Sequence, residues 1–295
     1  VSGSPIRIRS FAKINLSLAV LGRRPDGYHN IQTVFQSISL CDELEFQASD
    51  RLELRCENLP DVPQKDNLIW KAAEMLAGIV SAKRGASIIL NKKIPSDAGL
   101  GGGSSNAAAT LLGLCRLWQI IPSEVDLVPL AAELGSDVPF FLSGGTALGS
   151  GRGEKIYPLP DPSTLHLVVI FPGVQVSTAE AYRSLNLGLT SATEDNKIQR
   201  FCGQLKEDLS WLTGIFNDFE ASILPAYPPI LEARDFLRQQ GAAAALLSGS
   251  GSAVFGFFHD EESALAVSHA KVRETWRVFP AKTLSRTEYF QSMFG

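Results

Sequence analysis

The sequence predicts an α+β protein, on three observations. Segments alternating apolar and polar residues with period two are interspersed with segments whose apolar residues recur at i, i+3 and i+4, and both kinds occur in both halves. No internal repeat or low-complexity tract interrupts them. The 295 residues are 45% hydrophobic and 20% charged, the composition of a chain with a substantial core. At roughly 150 residues per domain, this is one large domain or two ordinary ones.

Residues 11–20 read as a strand, with Ala12, Ile14, Leu16, Leu18 and Val20 on one face and Phe11, Lys13, Asn15 and Ser17 on the other. Arg23-Arg24-Pro25-Asp26-Gly27 is a turn, because Pro presets φ and Gly accepts a positive one. Residues 31–40 and 44–56 read as two further strands, and 67–82 as a helix with Leu68, Ala72, Met75, Leu76 and Ile79 on one face. A strand over 86–90 leads to a glycine-rich loop and a helix over 107–118. A second helix falls between 123 and 134, with Gly135 as its left-handed terminator and Pro139 blocking continuation. A short helix over 138–142 follows.

Pro158-Leu159-Pro160-Asp161-Pro162 is the expected boundary between a first domain, 1–158, and a second, 159–295. Beyond it come a strand over 165–171 and helices over 178–185, 198–212 and 229–240. Strands over 245–247 and 253–258 flank Ser248-Gly249-Ser250-Gly251-Ser252, and a last helix spans 261–275.

Composition also excludes. The 27 Lys and Arg against 31 Asp and Glu give a net charge of −4, so general binding to nucleic acid through phosphate neutralisation is not expected. No apolar run approaches the ~20 residues of a membrane span, and no secretory signal core is present. The four cysteines show no CxxC spacing and read as small buried hydrophobes in a reducing compartment. Four histidines outside any HExxH pattern make a dedicated zinc site unexpected. Val1 to Pro5, with Ser-Gly-Ser, reads as a remnant of cloning.

The chemistry is concentrated in Gly99-Leu100-Gly101-Gly102-Gly103-Ser104-Ser105, between a strand and a helix. Backbone N–H groups and the positive helix end make an anion site there, and glycines let a phosphate approach. No Glu or Gln follows Ser104 by three residues to fill the helix start. No Lys follows the glycines as a P-loop requires, and Gly99-x-Gly101-x-Gly103 lacks the dinucleotide spacing. On the residues alone, Lys13 reads as a solvated strand lysine, Asp137 equally as a helix N-cap or a functional carboxylate, and Tyr182 equally as core or as a stacking ring. Tyr28 and His29 follow a turn, where binding loops lie, and on the residues alone read as a surface aromatic and a turn histidine. Ser248 to Ser252 reads as a tight hairpin, and Asn217-Asp218-Phe219-Glu220 as a structural helix N-cap.

Pro95 to Ala108, as Pro-x-x-x-Gly-Leu-Gly-Gly-Gly-Ser-Ser-x-Ala-Ala, resembles the ATP-binding loop of the GHMP kinases, the small-molecule kinases of galactose, homoserine, mevalonate and relatives. The resemblance covers nearly the whole chain. Ala12-Lys13-Ile14-Asn15-Leu16, Arg24-Pro25-Asp26-Gly27-Tyr28-His29, Gly135-Ser136-Asp137-Val138-Pro139-Phe140-Phe141, Asn217-Asp218-Phe219-Glu220 and Ser248-Gly249-Ser250-Gly251 are similar to one branch, whose alcohol substrate carries a cytidine diphosphate group. Phe11 and Leu247 depart from that branch and touch no implied role.

The resemblance implies a ribosomal-protein-like first domain, a ferredoxin-like second domain and a site in the cleft between them. It implies ATP as co-substrate with Mg²⁺, the triphosphate lying along Pro95, Gly99, Leu100, Gly101, Gly102, Gly103, Ser104 and Ser105. Ser105 is a candidate metal ligand, with no carboxylate partner evident. Lys13 and Asp137 become catalytic, Asp137 as the base that takes the proton from the attacking hydroxyl. Asn15, Tyr28, His29, Thr178, Tyr182, Gly249 and Ser250 fall on the substrate side. The expected partner is a small molecule, neither nucleic acid nor membrane. The expected location is the bacterial cytosol, with a plastid enzyme trimmed of its transit peptide as the alternative.

Overall fold

The computed structural model of the chain describes residues 4–57, 64–80, 84–121, 125–185, 195–205 and 209–294. Ser81 and Ala82 of the expected first helix, Ser123 of the second and residues 206–208 of a later one lie outside the described residues, as do Val1 to Gly3.

A first sheet contains β1 (Ile6–Arg23), β2 (His29–Ser49), β3 (Leu52–Glu57), β4 (Gly85–Asn91), β5 (Thr146–Ser150) and β6 (Lys155–Pro158). Its main path runs β3-β4-β2-β1, with β5 pairing with the other part of β2 and β6 with β5. Helices α1 (Leu68–Ile79), α2 (Gly102–Leu117), α3 (Leu127–Leu134) and α4 (Val138–Ser143) belong to the same half of the chain. β2 runs on through the break read between 40 and 44, and the second strand read, 44–56, is itself divided between the end of β2 and β3. The polar Asp42 that breaks the pattern is fully buried within β2.

The second sheet begins with β7 (His166–Phe171). After α5 (Thr178–Ser184) and α6 (Asp195–Gln204), a two-residue strand β8 (Phe216–Asn217) returns to pair in parallel with β1 at Ser17 and Leu18. Then follow α7 (Glu220–Ala226), α8 (Pro228–Gln239), β9 (Ala244–Leu247), β10 (Val254–Phe258), α9 (Glu261–Ser268), β11 (Arg277–Lys282) and α10 (Arg286–Met293). The antiparallel order β11-β7-β10-β9 is the split β-α-β arrangement of a ferredoxin-like layer.

The two sheets pack face to face. Ala12, Ile14 and Leu16 of β1 and Val34 and Ile38 of β2 meet Leu167, Val169, Phe255 and Phe257 of the second sheet in one apolar cluster. That leaves Lys13 and Asn15 on the opposite face of β1, and both are buried as well, so the strand is not half-exposed as its alternation predicts.

Two further readings are corrected. Gly135 has φ 168°, extended rather than left-handed, and its N–H still closes α3 by donating to the Ala131 carbonyl. Asn217 to Glu220 does not cap a helix: the residue preceding α7 is Phe219, with no side-chain cap bond. The sequence reading also lacks β11 and α10. β11 carries Pro280 but lies on the sheet edge, where a missing N–H is tolerated. α10 starts with a capping box, Ser285 and Glu288.

α10 packs back on the first half of the molecule. Tyr289 is fully buried there, its ring beside Phe11 and its Oη donating to the Phe141 carbonyl of α4. Arg286 donates to the Ser143 and Thr146 carbonyls, and Asp161 bridges the Thr146 and Arg286 N–H groups. The element bearing Asp137 is thus held at its far end by the C-terminal helix.

A second anchor fixes the glycine-rich loop. Asp42 accepts from Lys92 Nζ at 2.5 Å, from the Lys93 and Ile94 N–H groups at 2.7 and 2.8 Å, and from Asn106 Nδ2 at 2.9 Å. Asn106 also donates to Ser10 Oγ, which donates to Ser105 Oγ. A fully buried carboxylate with four donors ties β2 to both ends of the loop. Removing one partner of such a pair strands the other in low dielectric. Asp42→Ala should therefore cost about 3–5 kcal/mol in urea unfolding, and a loss under about 1 kcal/mol would mean that the pair behaves as a surface one.

Candidate active site

A cleft of about 1640 Å³ lies at the meeting of the two halves. Its lining includes eleven of the residues read as functional: Lys13, Asn15, Tyr28, His29, Gly99, Gly101, Asp137, Thr178, Tyr182, Gly249 and Ser250. Pro95, Leu100 and Gly102 to Ser105 are not in that lining. Pro95 is buried, and Leu100 points into the inter-sheet cluster while its carbonyl accepts from the Lys13 N–H.

The glycine-rich loop ends one turn earlier than its composition implies, because Gly102 and Gly103 already belong to α2. Gly101 is the N-cap residue, with φ 68° and no side chain to bond the helix start. The first N–H groups of a helix have no partner of their own, so those of Gly102, Gly103 and Ser104 present the positive helix end outward. Gly103 is exposed and lies toward Leu68, whereas Gly102 lies beside Lys92. Ser105 Oγ is buried against Ser10, so its hydroxyl is committed inward and does not suit the metal role read for it. Ser104 is half-buried and faces Gly135, next to the segment of Asp137.

Lys13 is the centre of the charged site. Its side chain is only 4% exposed. Nζ donates to Asn15 Oδ1 at 2.7 Å and lies 3.5 Å from Asp137 Oδ2. Asn15 Nδ2 donates to Thr33 Oγ1, which donates to the Ser17 carbonyl. The Lys13 pair is thus held by a chain of bonds ending on the sheet backbone. Burial pushes the Lys13 ammonium below its ordinary 10.5, and the Asp137 carboxylate opposes that shift. Asp137 stands at the N-cap position of α4, yet its side chain makes no cap bond and is 32% exposed in the cleft. The two readings open from the sequence are separated here: the carboxylate faces Lys13 and the cleft, not its own helix.

The aromatic residues form the other end. His29 stacks on Tyr182 with ring centroids 4.6 Å apart and planes 10° apart. The edge of Phe219 supports Tyr182 from another side at 4.9 Å. Burial, with the Asp137 charge second, raises the Tyr182 phenol to about 12, so it stays protonated at neutral pH. His29 is lowered by burial and then by Arg23, which favours the neutral ring with one donor and one acceptor nitrogen. Tyr28 is 56% exposed at the cleft mouth with the Arg152 guanidinium 4.9 Å from its centroid. The structure therefore brings His29, and not Tyr28, against Tyr182.

Ser248 to Ser252 joins β9 to β10 and locks onto the first glycine loop. Ser248 Oγ donates to the Gly99 carbonyl, and the Ala253 N–H donates to the Ala98 carbonyl. Gly99, at φ 75°, has no room for a side chain, because a methyl there would collide with the Ser248 carbonyl. Ser250 Oγ lies 3.3 Å from Thr178 Oγ1 of α5.

Models of the GHMP kinases N terminal domain and of the GHMP kinases C terminal match residues 67–145 and 203–277. The 4-diphosphocytidyl-2-C-methyl-D-erythritol kinase of Syntrophus aciditrophicus is 41% identical over 281 residues, spanning 95% of this chain and 99% of that protein. The chain belongs to the 4-diphosphocytidyl-2-C-methyl-D-erythritol kinase family. The kinase of that name from Chlorobaculum parvum is 45% identical over 264 residues, 88% of this chain and 90% of that one. A crystal structure of 4-(cytidine 5'-diphospho)-2C-methyl-D-erythritol kinase superposes with a TM-score of 0.77 at 35% identity, covering 94% of this chain and 99% of the other.

In this member of the kinase family, the sequence reading missed Asp42, Lys92, Ser10 and Asn106, and also Arg152. The signal for the first group was a charged residue inside an apolar strand pattern, read instead as a strand break. For Arg152 it was a cation between Gly151 and Gly153, both at positive φ, a turn that projects its side chain into the cleft. No group of three or more His, Cys, Asp or Glu among the described residues could hold a metal ion, and no helix among them is long and apolar enough to cross a membrane. The Lys13 environment gives a measurable expectation. NMR of ¹³Cε-labelled lysine should find Lys13 titrating below 10.5, and lower still in Asp137→Asn, where the opposing charge is gone; an upward move would contradict this account.

Proposed function

We propose that this chain transfers the terminal phosphoryl group of ATP to the 2-hydroxyl of 4-diphosphocytidyl-2-C-methyl-D-erythritol, a step of non-mevalonate isoprenoid precursor synthesis. The observation that carries the mechanism is the pair of Lys13 and Asp137, 3.5 Å apart in a cleft bordered by a glycine-rich helix start and an aromatic pocket. Family membership supports the substrate.

Asp137 takes the proton of the 2-hydroxyl as its oxygen forms a bond to the γ-phosphorus and the bond to the ADP oxygen breaks. Charge in this transition state sits largely on the phosphoryl oxygens, so catalysis is positioning and charge stabilisation. Lys13 supplies a cation that burial makes effective, since few waters compete for it. Asn15 fixes its direction. Backbone N–H groups from Gly99 to Ser104 hold the triphosphate, with Pro95 and Leu100 shaping the loop from behind. On the substrate side, His29 offers its nitrogens to the cytosine edge, Tyr182 offers a ring face, and Tyr28 closes the mouth. Thr178, Gly249 and Ser250 border the path of the diphosphate. Residues 1–158 are read as the domain of the nucleotide loop and 159–295 as the second domain, and the substrate pocket takes His29 and Tyr28 from the first and Thr178 and Tyr182 from the second.

Mg²⁺ prefers one or two protein oxygens together with phosphates and water. With Asp137 serving as the base, the Ser104 hydroxyl at the helix start would be the protein oxygen left for the ion, and the described residues hold no all-protein cage. When bound with the nucleotide, the ion would neutralise phosphate charge. Comparing turnover of the cytidylylated alcohol with that of homoserine and mevalonate tests the substrate reading, and turnover of only an uncytidylylated alcohol would refute it. Asp137→Asn should lower kcat by about 10²–10⁴-fold while calorimetry still finds ATP bound; retained turnover would remove Asp137 from the role of base.

A further inference from the structure

Asn217 lies outside the cleft lining, yet its side chain is bonded at every position that faces the cleft's second glycine loop. Nδ2 donates to the Leu247 carbonyl at 2.9 Å and to the Gly249 carbonyl at 2.7 Å, and Oδ1 accepts from the Phe219 N–H at 3.0 Å. The residue is 6% exposed. Its neighbours complete a joint. Asp218 Oδ2 accepts from the Val20 N–H at 2.8 Å, and Glu220 Oε1 accepts from the Leu247 N–H at 2.9 Å. β8, which contains Asn217, pairs with β1 at Ser17 and Leu18, downstream on the strand that carries Lys13 and Asn15.

The far side of that joint meets the charged site. A methyl on Gly249 would lie 3.3 Å from Lys13 Nζ and 3.2 Å from the Gly99 carbonyl, so the loop backbone is packed against both the ammonium and the first glycine loop. We propose that Asn217 is a positioning residue for phosphoryl transfer: its amide fixes Gly249 against Lys13, and through Ser248 sets the first glycine loop relative to Asp137. The inference rests on the kinase reading above. It needs both hydrogens of one amide nitrogen, because two carbonyl oxygens point at it. Asp matches Asn in size but offers an acceptor where two acceptors already stand, so packing is kept and the positioning is lost.

The test compares Asn217→Asp and Asn217→Ala with Thr283→Val, which removes a similar buried bond, from the Leu165 N–H to Thr283 Oγ1, far from the loop. For the folded enzyme, both Asn217 variants should lose about 100-fold in kcat with KM for ATP within about threefold. Thr283→Val should lower Tm and leave kcat within about twofold. Hydrogen exchange needs no substrate, and in Asn217→Asp it should show faster exchange at the Gly251 N–H, which bonds the Ser248 carbonyl. A kcat for the Asn217 variants within the Thr283→Val range, unchanged exchange at Gly251, or loss of any cooperative melting transition in both would overturn the proposal, the last by making Asn217 a folding residue. If the unmutated enzyme does not phosphorylate the cytidylylated alcohol, the substrate reading fails, and the exchange measurement still decides whether Asn217 holds the loop.

Discussion

A nearly dry ammonium is the constraint around which this molecule is arranged. Lys13 sits on β1, between β2 and the short β8 in the first sheet, with almost no access to water, and an ion there is tolerable only with acceptors at bonding distance. Asn15, Asp137 and the backbone of the second glycine loop each approach it from a different element. Every one of those approaches has its own support: Thr33 behind Asn15, α10 behind α4, Asn217 behind the loop. The cost of burying the charge is met only when sheet, helix and hairpin are all in place. A correctly folded molecule and an assembled site are therefore nearly the same condition.

Much of this was legible in the sequence because it was local. The glycine run, the apolar face of α2 and the hairpin around Ser248 to Ser252 are short-range patterns, and the structure contains all three elements. Asp137 was half legible: its place before Val138-Pro139 gave the helix start, but only coordinates could show its carboxylate turned away from the cap. What stayed hidden was long-range. Nothing in the sequence around Asp42 announces that Lys92, Lys93, Ile94 and Asn106 converge on it from at least 50 residues away. Alternation along β1 predicted one wet face, and the packing of a second sheet on one side and the site on the other buried both. β8 is two residues long, below any periodicity, and yet it joins the halves.

The two glycine loops are better regarded as one unit than as two motifs. Each carries positive-φ glycines, and each uses backbone groups of the other: Ser248 on the Gly99 carbonyl, Ala253 on the Ala98 carbonyl. Neither contact involves an apolar side chain, so neither leaves a hydrophobic pattern. These partly shielded hydrogen bonds add to the burial of Ala98, Leu100 and Ala253 in the inter-sheet apolar cluster.

The return of α10 onto the first sheet has a consequence for biogenesis. A chain made from its N-terminus folds domains as they emerge, but the first half of this one lacks the Tyr289 ring and the Arg286 donors until the residues of α10 have been made. The α4 element that Asp137 precedes thus gains its support only when α10 can dock on it.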